Sequence, residues 1–127
     1  MEIPEGLLYS DQHVWLRPAD GTALIGLTDF AQQSLGELMY VDLSATGQEL
    51  AVGDEAAMVE SCKTAAGVAS PVRGRVLRVN PAVAKQPTLI NESPYGDGWL
   101  LELRLADASN LDGLMDARQY RAYLGEG

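Results

Sequence analysis

The chain has 127 residues, a mass of 13.6 kDa and a formal net charge of −9, which is the size of one domain with a single core and predicts one unit over 1–127. Hydrophobic residues at 46% and charged residues at 21% exclude a disordered chain, and apolar runs of only a few residues exclude a membrane-spanning helix. Eighteen acids against nine bases, with no basic run, argue against a nucleic-acid partner. A single cysteine and a first stretch, Met1 to Gly6, without an apolar core point to the cytoplasm and to no internal disulfide.

Along the chain, short apolar segments alternate with turn signals, the pattern of a mainly β domain with a few helices. Thr22 to Leu27 follows the Asp20-Gly21 turn and reads as a strand. Thr28 or Asp29 caps a short helix to Leu35, which Gly36 ends. Met39, Val41 and Leu43 alternate with Tyr40 and Asp42, which predicts a half-buried strand with the first three inward. Glu55 to Cys62 and Val72 to Val79 read as two more strands, the latter ended by Asn80-Pro81. If those two pair, Lys63 sits at the tip of a hairpin with its ammonium in water. The segment from Pro81 to Gly98 contains Pro87, Pro94, Gly96 and Asn91 and is expected to be mostly irregular, with Asn91-Glu92-Ser93 a turn. Trp99, Leu101, Leu103 and Leu105 form one face of a strand. Asp116 caps a last helix with an inner stripe of Ala117, Tyr120 and Leu124, stopped by Gly125.

Catalytic constellations are poorly represented. The one histidine, His13, is expected to pack beside Trp15, and no His-rich metal site or His-based triad can be assembled without it. No glycine-rich phosphate cradle is present. Asp107, Asp112 and Asp116 read as helix caps because calcium-loop spacing is absent. Seven of the nine cations are arginine, so Lys63 and Lys85 stand out; Lys85 has no motif around it and reads as a surface lysine.

The stretch around Lys63 is different. Val59-Glu60-Ser61-Cys62-Lys63-Thr64 followed by Ser70-Pro71-Val72-Arg73-Gly74 resembles the lipoate-attachment hallmark of the glycine cleavage system H-protein family. His13-Val14-Trp15, Gly26-Leu27-Thr28-Asp29-Phe30-Ala31-Gln32 and Asn91-Glu92-Ser93-Pro94-Tyr95-Gly96-Asp97-Gly98-Trp99 resemble its other blocks, in order and across nearly the whole chain. The resemblance implies a lipoyl-type barrel-sandwich hybrid: two short antiparallel sheets with small flanking helices, a C-terminal helix and the modified lysine on a turn. It implies a non-catalytic carrier with lipoic acid joined to Lys63 as an amide, which removes a positive charge. It implies Glu60, Gly47 and Gly74 as determinants for a lipoate ligase or lipoyl transferase, and an arm cleft from His13, Val14, Phe30, Cys62 and Gly67. Biotin carriers share the fold, but their lysine usually lies between methionines, where this chain has Cys62 and Thr64.

This chain departs from the family around the arm. Val14 and Gly67 stand where the family usually has acids, and Ala69 where it often has Tyr or Asn. A charged amine needs acids beside it, so the departures favour a branch resembling the lipoate-binding proteins of sulfur-oxidising bacteria, carrying sulfur for a heterodisulfide-reductase-like complex. The alternative is a glycine cleavage carrier moving an aminomethyl group between glycine decarboxylase and aminomethyltransferase, reoxidised by dihydrolipoyl dehydrogenase. A third reading is a relay that passes lipoate to other enzymes. A monomer is expected in each. Cys62 reads as a small strand residue pointing away from the arm.

Overall fold

The computed structural model describes residues 1–107 and 111–125. Two antiparallel sheets form the frame. The larger is built from β1 (Leu8–Tyr9), β2 (Val14–Pro18), β3 (Thr22–Leu27), β9 (Leu101–Leu105), β8 (Gly74–Val79) and β5 (Glu49–Leu50), adjacent in that order. The smaller sets β6 (Glu55–Ser61) between β4 (Leu38–Leu43) and β7 (Ala65–Ala69). Four short helices flank them: α1 (Asp29–Leu35), α2 (Pro81–Lys85), α3 (Thr88–Glu92) and α4 (Ala117–Tyr123). This is the mainly β, two-sheet hybrid expected, with the C-terminal helix in place.

Both faces of the larger sheet are covered. Val14 and Leu16 point into the main core with Ile25, Val59, Val76, Leu101 and Leu103, as period-two alternation requires. Trp15 points the other way, into a second cluster with Ile3, Leu7, Tyr9, Tyr95, Ala117 and Tyr120. The indole fills the space over Gly26, where a Cβ would lie 2.6 Å from the ring, and its Nε1–H donates to the Pro94 carbonyl at 2.8 Å. The Gly26 and Pro94 blocks therefore meet on one tryptophan.

Three expectations need correction. The strand that returns from Lys63 is β7, Ala65–Ala69; the later strand, β8, belongs to the other sheet. Met39 is exposed, not inward, because the pairing of β4 with β6 shifts between Leu38 and Tyr40. That bulge seats Leu38 in the core and turns both Met39 and Tyr40 outward. The segment after Asn80 is largely helical: Asn80 Oδ1 accepts the Ala82 N–H and Pro81 takes the first helical position of α2. Asn91-Glu92 accordingly ends α3 and is not a turn. Asp116 caps α4 through a reciprocal capping box with Gln119. Among the described residues no helix is long and apolar enough to cross a membrane.

Candidate functional site

β6 and β7 form a hairpin whose base and tip are both fixed. At the base, Gly53 N–H donates to the Ser70 carbonyl and Ser70 N–H to that of Asp54. At the tip, Ser61 N–H donates to the Thr64 carbonyl at 2.8 Å, and Ser61 Oγ accepts the Lys63 and Thr64 amides at 3.3 and 3.2 Å. Cys62 and Lys63 are thereby held on a short loop, both exposed. The serine supplies the turn chemistry that glycine or asparagine often gives elsewhere.

The Lys63 side chain leans over Gly36, at the end of α1. A Cβ there would lie in ordinary contact, 3.4 Å from Lys63 Cε, and it is the φ of +83° that makes the position favour glycine. Next to it opens a cleft of about 180 Å³ between α1 and β7. Leu27, Phe30, Ala31, Leu35, Val59 and Val68 give it apolar walls, with Gln12, His13 and Ser34 as polar groups. A larger open groove of about 710 Å³ lies beside Val52, Pro71, Leu114 and Tyr123; it shares Gln12 with the cleft but includes no residue of the Lys63 turn.

Of the expected cleft residues, the structure gathers His13, Phe30 and Gly67. Val14 does not line the cleft: it is 1% exposed in the main core. Cys62 sits at the exposed tip, also outside the lining. His13 does not pack beside Trp15: it precedes β2 and its left-handed backbone takes it out of the strand's alternation. Its ring lies 4.6 Å from Phe30 and near Tyr120 and Tyr123. Its φ of 65° is the left-handed region, held by its own N–H to Ser10 and by the Thr28 N–H on its carbonyl. Burial lowers the His13 pKa, opposed by nearby Asp11.

Glu60 is exposed on β6, opposite Tyr40 and Ala65, three residues before the lysine. Gly74 opens β8 of the larger sheet, and Gly47 lies in the turn before β5. Gly47 has φ +90° and donates to the Val76 carbonyl. Gly74 has no room for a side chain, since a Cβ would lie 2.5 Å from the Arg104 carbonyl oxygen.

Gly67 carries a finding that its sequence hides. The Glu55 carboxylate leans across it, with Oε1 2.9 Å from where a Gly67 Cβ would lie. A missing acid at 67 is therefore not a missing carboxylate at that place.

Two further residues were not singled out from the sequence as site residues, although both fall in the 91–99 block. Asn91 Nδ2 donates to Gln32 Oε1 and to the Gly36 carbonyl, while its Oδ1 accepts the Leu38 N–H. Tyr95 Oη accepts the Asp29 N–H and donates to the Glu2 carbonyl. Together they clamp the two ends of α1, one wall of the cleft. The signal was the side-chain inventory: a buried amide and phenol need partners.

These residues fit a lipoyl group. The amine is exposed for acylation, Gly36 leaves room beside it, and the adjoining cleft has apolar walls for a medium-length acyl chain bearing sulfur. An exposed lysine on a braced turn of a two-sheet hybrid, beside a small apolar cleft, is the arrangement of a carrier domain for a covalently attached cofactor. The family profile described as "Glycine cleavage H-protein" matches residues 7–127. The chain is 45% identical over 127 residues to the glycine cleavage system H protein of Coprothermobacter proteolyticus, covering 99% of this chain and 100% of that one. It is 42% identical to that of Thermus thermophilus, covering 98% and 97%. The crystal structure of a glycine cleavage system H protein from Mycobacterium marinum aligns with a TM-score of 0.89 at 31% identity, over 97% of this chain and 99% of that one. The chain belongs to the glycine cleavage H-protein family, non-catalytic carriers that hold lipoate covalently on a lysine.

Proposed function

We propose that Lys63 is the lipoyl-bearing lysine and that this domain carries an aminomethyl group from glycine decarboxylase to aminomethyltransferase, with dihydrolipoyl dehydrogenase restoring the arm. The observation that carries the reading is Lys63 held exposed on the serine-braced turn. A lipoate ligase or lipoyl transferase would reach the amine without unfolding the domain, with Glu60 on the same face of approach. Attachment converts the amine to an amide and takes the formal charge from −9 to about −10.

When bound, the group supplies a dithiol and disulfide couple that exchanges by thiolate attack. The chain's own residues position it: Gly36 leaves space for the lysine methylenes, and Phe30, Leu35 and Val68 exclude water from the cleft. Glu55 lies over Gly67 but outside the cleft lining, in a separate acidic groove with Asp42 and Asp54. The near-full-length similarity to glycine cleavage H proteins supports this cargo over sulfur. The sulfur-carrying branch with a heterodisulfide-reductase-like complex is the second reading, favoured by the apolar walls of the cleft. A cytoplasmic monomer goes with either.

Expression with a lipoate ligase should raise the intact mass by one lipoyl group, and Lys63→Arg should abolish the gain. A gain that survives Lys63→Arg ends the reading of Lys63. Reconstitution with glycine decarboxylase and aminomethyltransferase should then give turnover; no turnover with fully lipoylated chain favours the sulfur cargo.

A further inference from the structure

The hydroxyls beside the cleft have only one hydrogen-bond polarity that satisfies them all. Thr28 is fully buried. Its Oγ1 accepts the Ala31 N–H at 3.2 Å and lies 2.9 Å from Tyr120 Oη, which in turn lies 2.8 Å from His13 Nδ1. If Nδ1 carried the hydrogen, it would donate to the phenol, and the phenol would have to donate to Thr28. The Thr28 hydroxyl hydrogen would then have no acceptor among the described residues, in a place water does not reach. In the opposite sense every hydrogen is used: Thr28 donates to Tyr120, and Tyr120 donates to Nδ1.

We propose that this chain of hydroxyls locks His13 as the Nε2–H tautomer, so that it presents a neutral hydrogen-bond donor to an arm folded into the cleft. His13 lines the cleft, Nδ1 is committed to Tyr120, and the opposite ring edge, with Nε2, has no hydrogen-bond partner among the described residues. The histidine is therefore a positioning residue for an acceptor on the arm, a sulfur or an amide oxygen. Its strained backbone, φ 65°, fits a side chain set by its surroundings. The charged and titratable groups around it are Asp11 on the preceding turn and Tyr120 and Tyr123 on α4. Burial lowers its pKa and so supports the neutral form, and Tyr120, raised by burial, stays a phenol.

The donation to the arm rests on the Lys63 reading; the polarity does not. His13 is the only histidine, so ring-nitrogen NMR of the ¹⁵N-labelled chain has one residue to assign. At pH 8 the chain without lipoate should show Nε2 protonated and Nδ1 bare; a protonated Nδ1 overturns the proposal. In Tyr120→Phe the His13 titration midpoint should rise, because a donor to the neutral ring is lost, whereas loss of an imidazole-to-phenol bond would lower it. A midpoint that falls or stays overturns the proposal, and if Tyr120→Phe does not fold, the parent tautomer decides the polarity alone. Thr28→Ser keeps the hydroxyl and should keep the tautomer. The Nε2 signal should move between the lipoylated chain and Lys63→Arg. An identical signal overturns donation to the arm, while a chain that takes up no lipoate fails the Lys63 reading instead.

Discussion

Asn91 does more for the site than its place in a short helix suggests. Its amide joins the end of α1 to the start of β4 through Gln32, Gly36 and Leu38. Asn91→Ala strands partly buried backbone groups and should lower unfolding free energy by about 2 kcal/mol. Urea denaturation reads the loss, and a variant as stable as the parent would refute the clamp. Because Gly36 abuts Lys63, the same change should slow lipoylation, read by intact mass over time. Val14 makes the converse case. An acid at 14 is a natural way to add a counter-ion to the cleft on sequence grounds, yet Val14 is packed among Leu16, Ile25 and Val59 in the core. Val14→Glu buries a carboxylate in this chain and should cost on the order of 3 kcal/mol or more. A urea midpoint within error of the parent would show that the side chain turns out to the cleft instead. Glu55, although it lies over Gly67, lines the groove with Asp42 and Asp54 and not the cleft.

The elements show where sequence reasoning carried through and where it stopped. Asp116 was legible as a cap because capping is local, and the structure adds the return bond from Gln119. Asp116→Ala should cost about 1 kcal/mol, and because α4 carries Tyr120, the loss should also broaden the His13 ring signals; unchanged signals would separate the cap from the hydroxyl chain. The hairpin tip at Lys63 was reached through a pairing with the wrong strand and through the motif around the lysine. The partner strand was not legible: Ala65–Ala69 has small residues of weak strand propensity and forms through its ladder with β6. Alternation misassigned Met39 because a bulge breaks period two, and nothing local in Leu-Met-Tyr marks it. The helices after Asn80 were hidden by prolines, one of which takes the first position of α2. Within the site, motif order located Lys63, His13 and Phe30. Glu55 was missed because it reaches Gly67 from the paired strand, a contact that register alone creates.

At the scale of the whole molecule, charge and acid response follow from few groups. A formal charge of −9 favours partners with basic docking faces, so association with the lipoate ligase should slow several-fold from low salt to about 0.5 M, read by stopped flow; a salt-independent rate would show contact without steering. Stability against acid should fall in two steps. His13 has a folded pKa below its ordinary 6.5, first because burial disfavours the imidazolium. The unfolded chain therefore binds more protons as pH drops past 6.5, and stability present above that value is lost until His13 protonates in the folded state. Asp29 acts lower. Burial alone would raise its pKa, but the Glu2 N–H and the Gln32 amide hold it below 3.8, so its contribution is present above 3.8 and is lost as pH falls through the lower folded value. Urea midpoints measured from pH 8 to pH 3 should show both steps. His13→Asn, chosen because asparagine tolerates φ 65°, should erase the upper step and leave the lower one. An upper step that survives in His13→Asn would mean that another group, and not the histidine beside the cleft, senses the first fall in pH.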